Sequence, residues 1–163
     1  MDIFEATRAN HTNELETALI NTDVNAVDSR GSTPLIIAAY YNHVEAAAVL
    51  LQAGANPDLP DAMGNTALMG ACFKGYAQLS KMLLDEGAAV DAVNGNMATA
   101  LTFAATFGHI ELVRLLLDRG ANPMIRDLTG KNPVDHARVQ ENDSCYEILA
   151  AAANDFIRET NTK

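Results

Sequence analysis

Apolar residues occur along the chain in short blocks whose internal spacing is that of α-helices. One block covers residues 34–41 and a second covers residues 44–51, with a polar pair between them. Thr33 precedes the first block as a helix N-cap, Pro34 suits the first helical position, and Gly54 can end the second block in a left-handed cap. The pattern predicts two short helices. Because helices of this length are marginal in water, they must gain stability by packing against others.

The same two-helix unit recurs with a fixed period of 33 residues. Four copies begin at Asp28, Asp61, Asn94 and Asp127. Apolar residues then repeat at equal phase, and the two most regular series are Leu35, Leu68, Leu101 and Val134, followed by Leu50, Leu83, Leu116 and Leu149. A fixed period of this length indicates a solenoid of stacked units, each of which buries its apolar face against its neighbours.

A turn opens each copy, and a glycine occupies one position of it in three copies. Gly31, Gly64 and Gly130 share this phase, where a positive φ angle favours glycine. In the third copy Met97 takes the same place, so Gly95-Asn96 is expected to shift the local turn. The sequence therefore predicts an irregular third turn.

The composition agrees with an all-α fold. The apolar residues are mostly Ala and Leu, and the chain has no Trp and only nine aromatic residues, which suits closely packed helices better than a sheet. Cys72 shares its phase with Ala39 and Ala105, and Cys145 shares its phase with two leucines. Both cysteines are therefore expected to be reduced residues of the core.

Several of these segments together resemble the ankyrin repeat. The resemblance is carried by the segments Thr33-Pro34-Leu35, Thr66-Ala67-Leu68, Thr99-Ala100-Leu101, Gly108-His109-Ile110-Glu111 and Leu115-Leu116-Leu117-Asp118-Arg119-Gly120-Ala121-Asn122. It implies an all-α ankyrin-repeat solenoid of about five helix pairs joined by finger loops built on β-turns. It also implies one domain over residues 1–163, with an N-terminal cap at 1–27, full repeats at 28–60, 61–93 and 94–126, and a C-terminal capping repeat at 127–163.

Motifs for catalysis or metal binding do not stand out from this repeat pattern. His43-Val44-Glu45 and His109-Ile110-Glu111 resemble the His-x-Glu of zinc deaminases, but they share one repeat phase and no Pro-Cys-x-x-Cys accompanies them. His11 and His136 have no partner at metal-ligand spacing. We therefore expect a protein that is not an enzyme and needs no cofactor and no metal ion.

Nucleic-acid and membrane binding are not favoured either. No stripe of Lys and Arg is interleaved with aromatic residues, and no apolar stretch approaches the length of a membrane span. The N-terminus is acidic where a secretory signal would be basic, so a cytoplasmic location is expected.

Aromatic residues mark the end of the first helix in each full repeat. They are Tyr40 and Tyr41, then Phe73 beside Lys74, then Phe107 after Thr106. The resemblance implies that these positions and the turn tips line a concave groove that binds a partner protein. The turn residues that it adds to the predicted binding site are Arg30, Ser32, Met63, Asn65, Asn96 and Lys131. Alternatively, one residue of each pair packs under the neighbouring finger and only the other is exposed.

The net charge of -10 is concentrated in the N-terminal part of the chain. Residues 1–73 contain nine acidic and two basic residues, whereas residues 74–163 contain twelve and nine. This distribution favours a basic partner protein. We expect a monomeric adaptor, scaffold or inhibitor; the alternatives are a structural protein that self-associates and an enzyme whose site is not recognised.

Overall fold

The computed structural model describes residues 1–163 and contains helices without strands. Its ten helices are α1 (Ile3–Arg8), α2 (Thr12–Leu19), α3 (Pro34–Tyr41), α4 (Val44–Gln52), α5 (Ala67–Lys74), α6 (Ala77–Asp85), α7 (Ala100–Thr106), α8 (Ile110–Asp118), α9 (Pro133–Val139) and α10 (Asp143–Asn161). The chain divides into two compact units, Met1–Ala89 (unit 1) and Val90–Lys163 (unit 2). The predicted all-α fold of about five helix pairs is confirmed.

Threonine side chains begin the first helix of each full repeat. Thr33 Oγ1 accepts a hydrogen bond from the Ile36 backbone N–H at 3.2 Å, and Thr66 Oγ1 accepts one from Met69 at 3.4 Å. These bonds satisfy an N–H group that the helix itself leaves without a partner. The predicted helix over residues 34–41 is confirmed, and Pro34 occupies its first turn.

Unit 1 consists of two layers of helices. In the first layer α3 packs between α1 and α5, and in the second layer α4 contacts α2 and α6. The large side chains of unit 1 that are fully buried include Leu35, Leu50, Leu68 and Leu83 of the two regular series, and the others are Ile3, Leu15, Met69 and Leu79. Small buried residues such as Ala38 and Ala71 allow the first-layer helices to approach closely.

Unit 2 repeats this packing with two helix pairs. Helix α7 packs against α8 and α9, and the 19-residue α10 packs against α8 and α9. Its fully buried large side chains are Leu101, Leu112, Leu116 and Leu149. The repeat boundaries and the single-domain organisation given by the sequence stay predictions.

The turns that open the repeats share one hydrogen-bonding pattern; we call them the first to fourth fingers, at residues 28–32, 61–65, 94–98 and 127–131. In the first finger the Gly31 N–H donates to the Asp28 carbonyl oxygen at 2.9 Å, and the Asp28 N–H donates to Ser32 O at 3.0 Å. Asp28 Oδ1 also accepts bonds from the N–H groups of Arg30 and Ser32. The side chain and backbone of the opening residue therefore hold the whole finger.

The third finger is regular, so the predicted irregularity is wrong. Met97 has a φ angle of 59°, and its N–H donates to Asn94 O at 2.9 Å, as the turn glycines do in the other fingers. Asn94 Oδ1 accepts from the N–H groups of Asn96 and Ala98, as the Asp carboxylates do. These bonds hold Met97 in a left-handed conformation that costs an L-residue roughly 1 to 2 kcal/mol.

A second left-handed position follows the first helix of each repeat, and it leads to a stability prediction. Gly75 and Gly108 occupy it in the middle repeats, whereas exposed Glu141 has a φ angle of 54° there. We expect Glu141→Gly to raise the free energy of unfolding by about 0.5 to 1 kcal/mol, because glycine adopts this conformation without a Cβ clash. Urea unfolding followed by circular dichroism measures the change. The reciprocal control Gly75→Ala should lower stability, and equal stability of all three proteins would contradict the expectation.

Candidate functional site

Three exposed aromatic rings and a lysine form a cluster on unit 1, which we call the aromatic cluster: Tyr40, Tyr41, Phe73 and Lys74. The exposed fractions of Tyr40, Tyr41 and Phe73 are 48%, 52% and 39%. The two tyrosine rings meet edge to face with centroids 5.3 Å apart, and Lys74 Nζ lies 4.6 Å from the Tyr40 centroid and 5.8 Å from that of Phe73. Both members of the tyrosine pair are thus exposed.

Local structure explains where these rings are placed. Helix α3 ends at Tyr41 because Asn42 has a left-handed φ angle of 58°. The Tyr41 ring then stacks on the His43 imidazole at 5.8 Å, and His43 Nε2 lies 3.0 Å from the Arg8 carbonyl oxygen. His43 is therefore a structural residue that supports Tyr41 and connects α1 to the turn after α3.

An open groove lies beside the aromatic cluster within unit 1; we call it the first-finger groove. It has a volume of about 390 Å³, and the lining residues that matter most are Arg8, Asp28, Arg30, Ser32, Tyr40 and Tyr41. Arg8 Nη2 donates to Asp28 Oδ2 at 2.7 Å. Four of the predicted site residues therefore line one groove: Arg30, Ser32, Tyr40 and Tyr41.

Arg8 and Asp28 are functional candidates that the sequence prediction missed. Burial alone would raise the pKa of Asp28, but the N–H groups of Ser32 and Arg30 and the nearby Arg8 charge lower the pKa below its usual value. Arg8 belongs to the predicted N-terminal cap, whereas the predicted binding residues all lie in the repeats that follow it. The available signal was that Arg8 and Arg30 are the only basic residues among residues 1–73.

The predicted residues of the second finger lie on its tip. Met63 is exposed and Asn65 is half-buried, and the N–H groups of both donate to Asp61 Oδ1 at 2.9 Å. Asp61 also lines the first-finger groove. The second finger therefore contributes to the groove through Asp61, while Met63 offers a separate apolar contact at the tip.

Unit 2 carries the remaining predicted residues. Asn96 is exposed, and its carbonyl oxygen accepts a bond from the Leu128 N–H at 3.0 Å, which joins the third and fourth fingers. Thr106 Oγ1 donates to the Thr102 carbonyl oxygen at 2.7 Å, so its hydroxyl proton is used within α7. Phe107 is half exposed after that helix. Lys131 is half-buried, and its N–H donates to Asp127 Oδ1 at 3.2 Å.

The fourth finger contains a partly buried pair of titratable side chains. His136 Nε2 lies 2.6 Å from Asp127 Oδ2, and Thr129 Oγ1 donates to Asp127 Oδ1 at 2.6 Å. Burial alone would raise the pKa of Asp127, but the hydrogen bonds from Thr129, His136 and two backbone N–H groups lower that pKa to about 2. The ionised carboxylate therefore holds the fourth finger against α9.

This pair predicts that the stability of the protein falls at low pH. A carboxylate with a lowered pKa contributes stability that is present above its ordinary pKa of 3.8 and is lost as the pH falls through about 2. Asp127→Asn keeps the oxygen that accepts the finger N–H bonds, as Asn94 does, but removes the charge. Near pH 5, we expect the free energy of unfolding to be about 1 kcal/mol higher for the native protein than for this variant.

Urea titrations between pH 6 and pH 2 measure this difference. It should shrink steadily below about pH 4, because the carboxylate of the unfolded chain takes up a proton there while the native carboxylate stays ionised down to about pH 2. A difference that stays constant down to pH 2 would contradict the role of the Asp127 charge.

The cysteines lie in the core, as predicted. Cys72 and Cys145 are free and buried. Burial raises the pKa of the Cys72 thiol to about 12 and also raises that of Cys145. Because the thiolate is the reactive form, neither residue is a nucleophile at neutral pH.

Two further observations concern metals and membranes. The structure contains no group of three or more His, Cys, Asp or Glu side chains arranged to hold a metal ion. None of the ten helices combines the length and the apolar character needed to cross a bilayer.

Comparison with known proteins agrees with the helix pairs and the finger geometry. The family described as ankyrin repeats (3 copies) matches residues 3–94 and 71–160. The chain therefore belongs to the ankyrin-repeat family. Members of this family are generally modules for protein–protein interaction and are typically non-catalytic.

One curated relative shares part of this sequence. Human oxysterol-binding protein-related protein 1 is 46% identical to the chain over 61 residues. This match covers 35% of the chain and 6% of the length of that protein. The similarity is thus confined to a short segment of a much longer protein.

Proposed function

We propose that this chain is a non-catalytic adaptor, scaffold or inhibitor that binds one partner protein mainly through the aromatic cluster and the first-finger groove of unit 1. The observation that carries the proposal is the exposure of three neighbouring rings, Tyr40, Tyr41 and Phe73, beside an open groove. Exposed aromatic residues are the commonest anchors of binding hot spots, since each buries a large area with few rotatable bonds.

The preformed geometry of the surface supports this function. Tyr41 is held by His43, and Lys74 lies over the Tyr40 ring, so both rings already have packed neighbours before a partner arrives. Binding a partner should therefore cost less conformational entropy here than at a flexible loop, because these side chains are already ordered. A recognition surface is also favoured over a catalytic site, since the groove is open and its carboxylates, Asp28 and Asp61, already accept hydrogen bonds that hold the fingers.

The other predicted residues are further candidate contacts on each unit taken by itself. On unit 1 these are Met63 and Asn65, and on unit 2 they are Asn96, Thr106, Phe107 and Lys131. We propose that the protein acts as a monomer in the cytoplasm. Its net charge of -10 attracts a basic partner at long range.

Selection from a random peptide library tests this proposal without a known partner. Phage-displayed random dodecapeptides are selected in parallel on the native chain and on the double variant Tyr40→Ala/Tyr41→Ala. Peptides enriched on the native chain should fail to bind the variant. If every enriched peptide binds both proteins equally, the aromatic cluster is not the interaction surface. Light scattering of the free chain separates partner binding from self-association.

A further inference from the structure

The charge of unit 1 is strongly negative as a whole but not in its groove. Residues 1–89 contain eleven acidic and four basic residues. Three of the four basic residues, Arg8, Arg30 and Lys74, lie in the first-finger groove or the aromatic cluster. The fourth, Lys81, lies on α6 and pairs with Asp85 at 2.7 Å. The positive charges of the unit are thus gathered on the proposed binding surface.

The carboxylates of the groove are occupied by the protein itself. Asp28 accepts two backbone bonds at Oδ1 and the Arg8 bond at Oδ2, and its side chain is only 10% exposed, against 43% for Arg8. Asp61, the other carboxylate that lines the groove, accepts two backbone bonds at Oδ1 in the second finger. A molecule in the groove would therefore meet exposed guanidinium donors beside carboxylates that already accept hydrogen bonds from the protein.

Most other acidic residues of unit 1 lie elsewhere. Glu14 and Glu16 are exposed on α2, and Glu45 on α4 accepts a bond from Asn10 at 3.1 Å. These helices form the second layer, while the groove is built from α1, α3, the first finger and Asp61 of the second finger. The overall negative charge therefore does not describe the surface that the partner touches.

We infer that the groove binds an acidic segment of the partner protein, with a carboxylate between Arg8 and Arg30 and an adjacent apolar or aromatic side chain on Tyr40 and Tyr41. Arg8 uses one N–H for Asp28, and a guanidinium has five, so Arg8 retains donors for a second carboxylate. Arg30 is exposed and can complete a two-arginine clamp. This inference rests on the proposed function, and it gives the docking segment the charge opposite to that expected from the whole chain.

The inference is tested with peptides enriched on the native chain in the display experiment. Representative peptides are synthesised with a fluorescent label, and their dissociation constants are measured by fluorescence anisotropy at low and high NaCl. We expect the enriched peptides to carry net negative charge and to bind less tightly at high salt. Arg30→Glu should weaken binding about tenfold or more, because it places a carboxylate opposite the peptide's carboxylate.

Lys81→Glu is the matched control. It makes the same change in net charge within unit 1 but lies on α6, outside the groove, so it should change the affinity by less than about twofold. Thermal unfolding followed by circular dichroism shows that both variants are folded.

The possible results separate the two proposals. Acidic peptides that are sensitive to Arg30→Glu and insensitive to Lys81→Glu support the inference. Peptides that require the tyrosines but are neutral or basic, or that bind Arg30→Glu as well as the native chain, overturn the inference and leave the proposed function intact. The absence of any peptide that requires the tyrosines overturns both.

Discussion

Leu83→Ala will lower the free energy of unfolding by about 2 to 5 kcal/mol. Leu83 is fully buried on α6, and the truncation removes three carbon atoms from a closely packed site. Helix α6 packs against α4 and α5, which hold contacts with other helices of unit 1, so these helices cannot move to fill the cavity without disturbing those contacts. Urea unfolding followed by circular dichroism measures the loss, which should lower the midpoint urea concentration and leave the dependence of the unfolding free energy on urea unchanged.

Ile20→Ala is the control for this measurement. Ile20 is a large aliphatic residue of the same unit, but it is exposed at the end of α2, so its truncation should change stability by no more than about 0.5 kcal/mol. A loss of less than about 1 kcal/mol for Leu83→Ala would mean that the second-layer core is not packed as described.

The second large effect concerns binding. Tyr40→Ala/Tyr41→Ala should lower the affinity for the enriched peptides by about 30-fold or more, which corresponds to a loss of about 2 kcal/mol in binding free energy. The two rings touch each other, Lys74 lies over Tyr40, and Tyr41 stacks on His43, so the double variant removes two of the three exposed rings of the aromatic cluster. Fluorescence anisotropy with the labelled peptides measures the change.

The folding of this double variant needs its own check. Both side chains are about half exposed at the end of α3, so stability should fall by much less than for Leu83→Ala. Ile20→Ala again serves as the control, since it removes an exposed apolar side chain on the other helix layer and should leave peptide affinity unchanged. Equal losses of affinity in the two variants would indicate nonspecific apolar binding.

Local chemistry explains why the helix bounds could be predicted so closely. Thr33 and Pro34 begin α3 through a hydrogen bond and a fixed φ angle that need only neighbouring residues. Gly54 likewise adopts a left-handed φ angle of 88° after α4. The 33-residue period then predicts the same helices in each later copy, because residues at the same position of similar stacked units have similar surroundings.

The third finger shows where local reasoning went wrong. The absence of glycine at Met97 predicts a change of turn, since the left-handed conformation is unfavourable for an L-residue. In the structure, Asn94 supplies the same carbonyl and side-chain oxygen bonds as the aspartates of the other fingers. The hydrogen bonds of the finger outweigh the backbone strain at Met97. A sequence motif does not show which of these two energies is larger.

The sequence by itself determined the family, the helix pairs and the apolar core, because a 33-residue period repeats the same local signals and the same burial pattern. It also determined that aromatic residues end the first helices. Only the tertiary structure decided which charges accompany them: Arg8 forms an ion pair with Asp28, 20 residues away, and three of the four basic residues of unit 1 lie in the first-finger groove or the aromatic cluster. The physical reason is that net charge sums over the chain, whereas a partner responds to the groups that packing exposes on one surface.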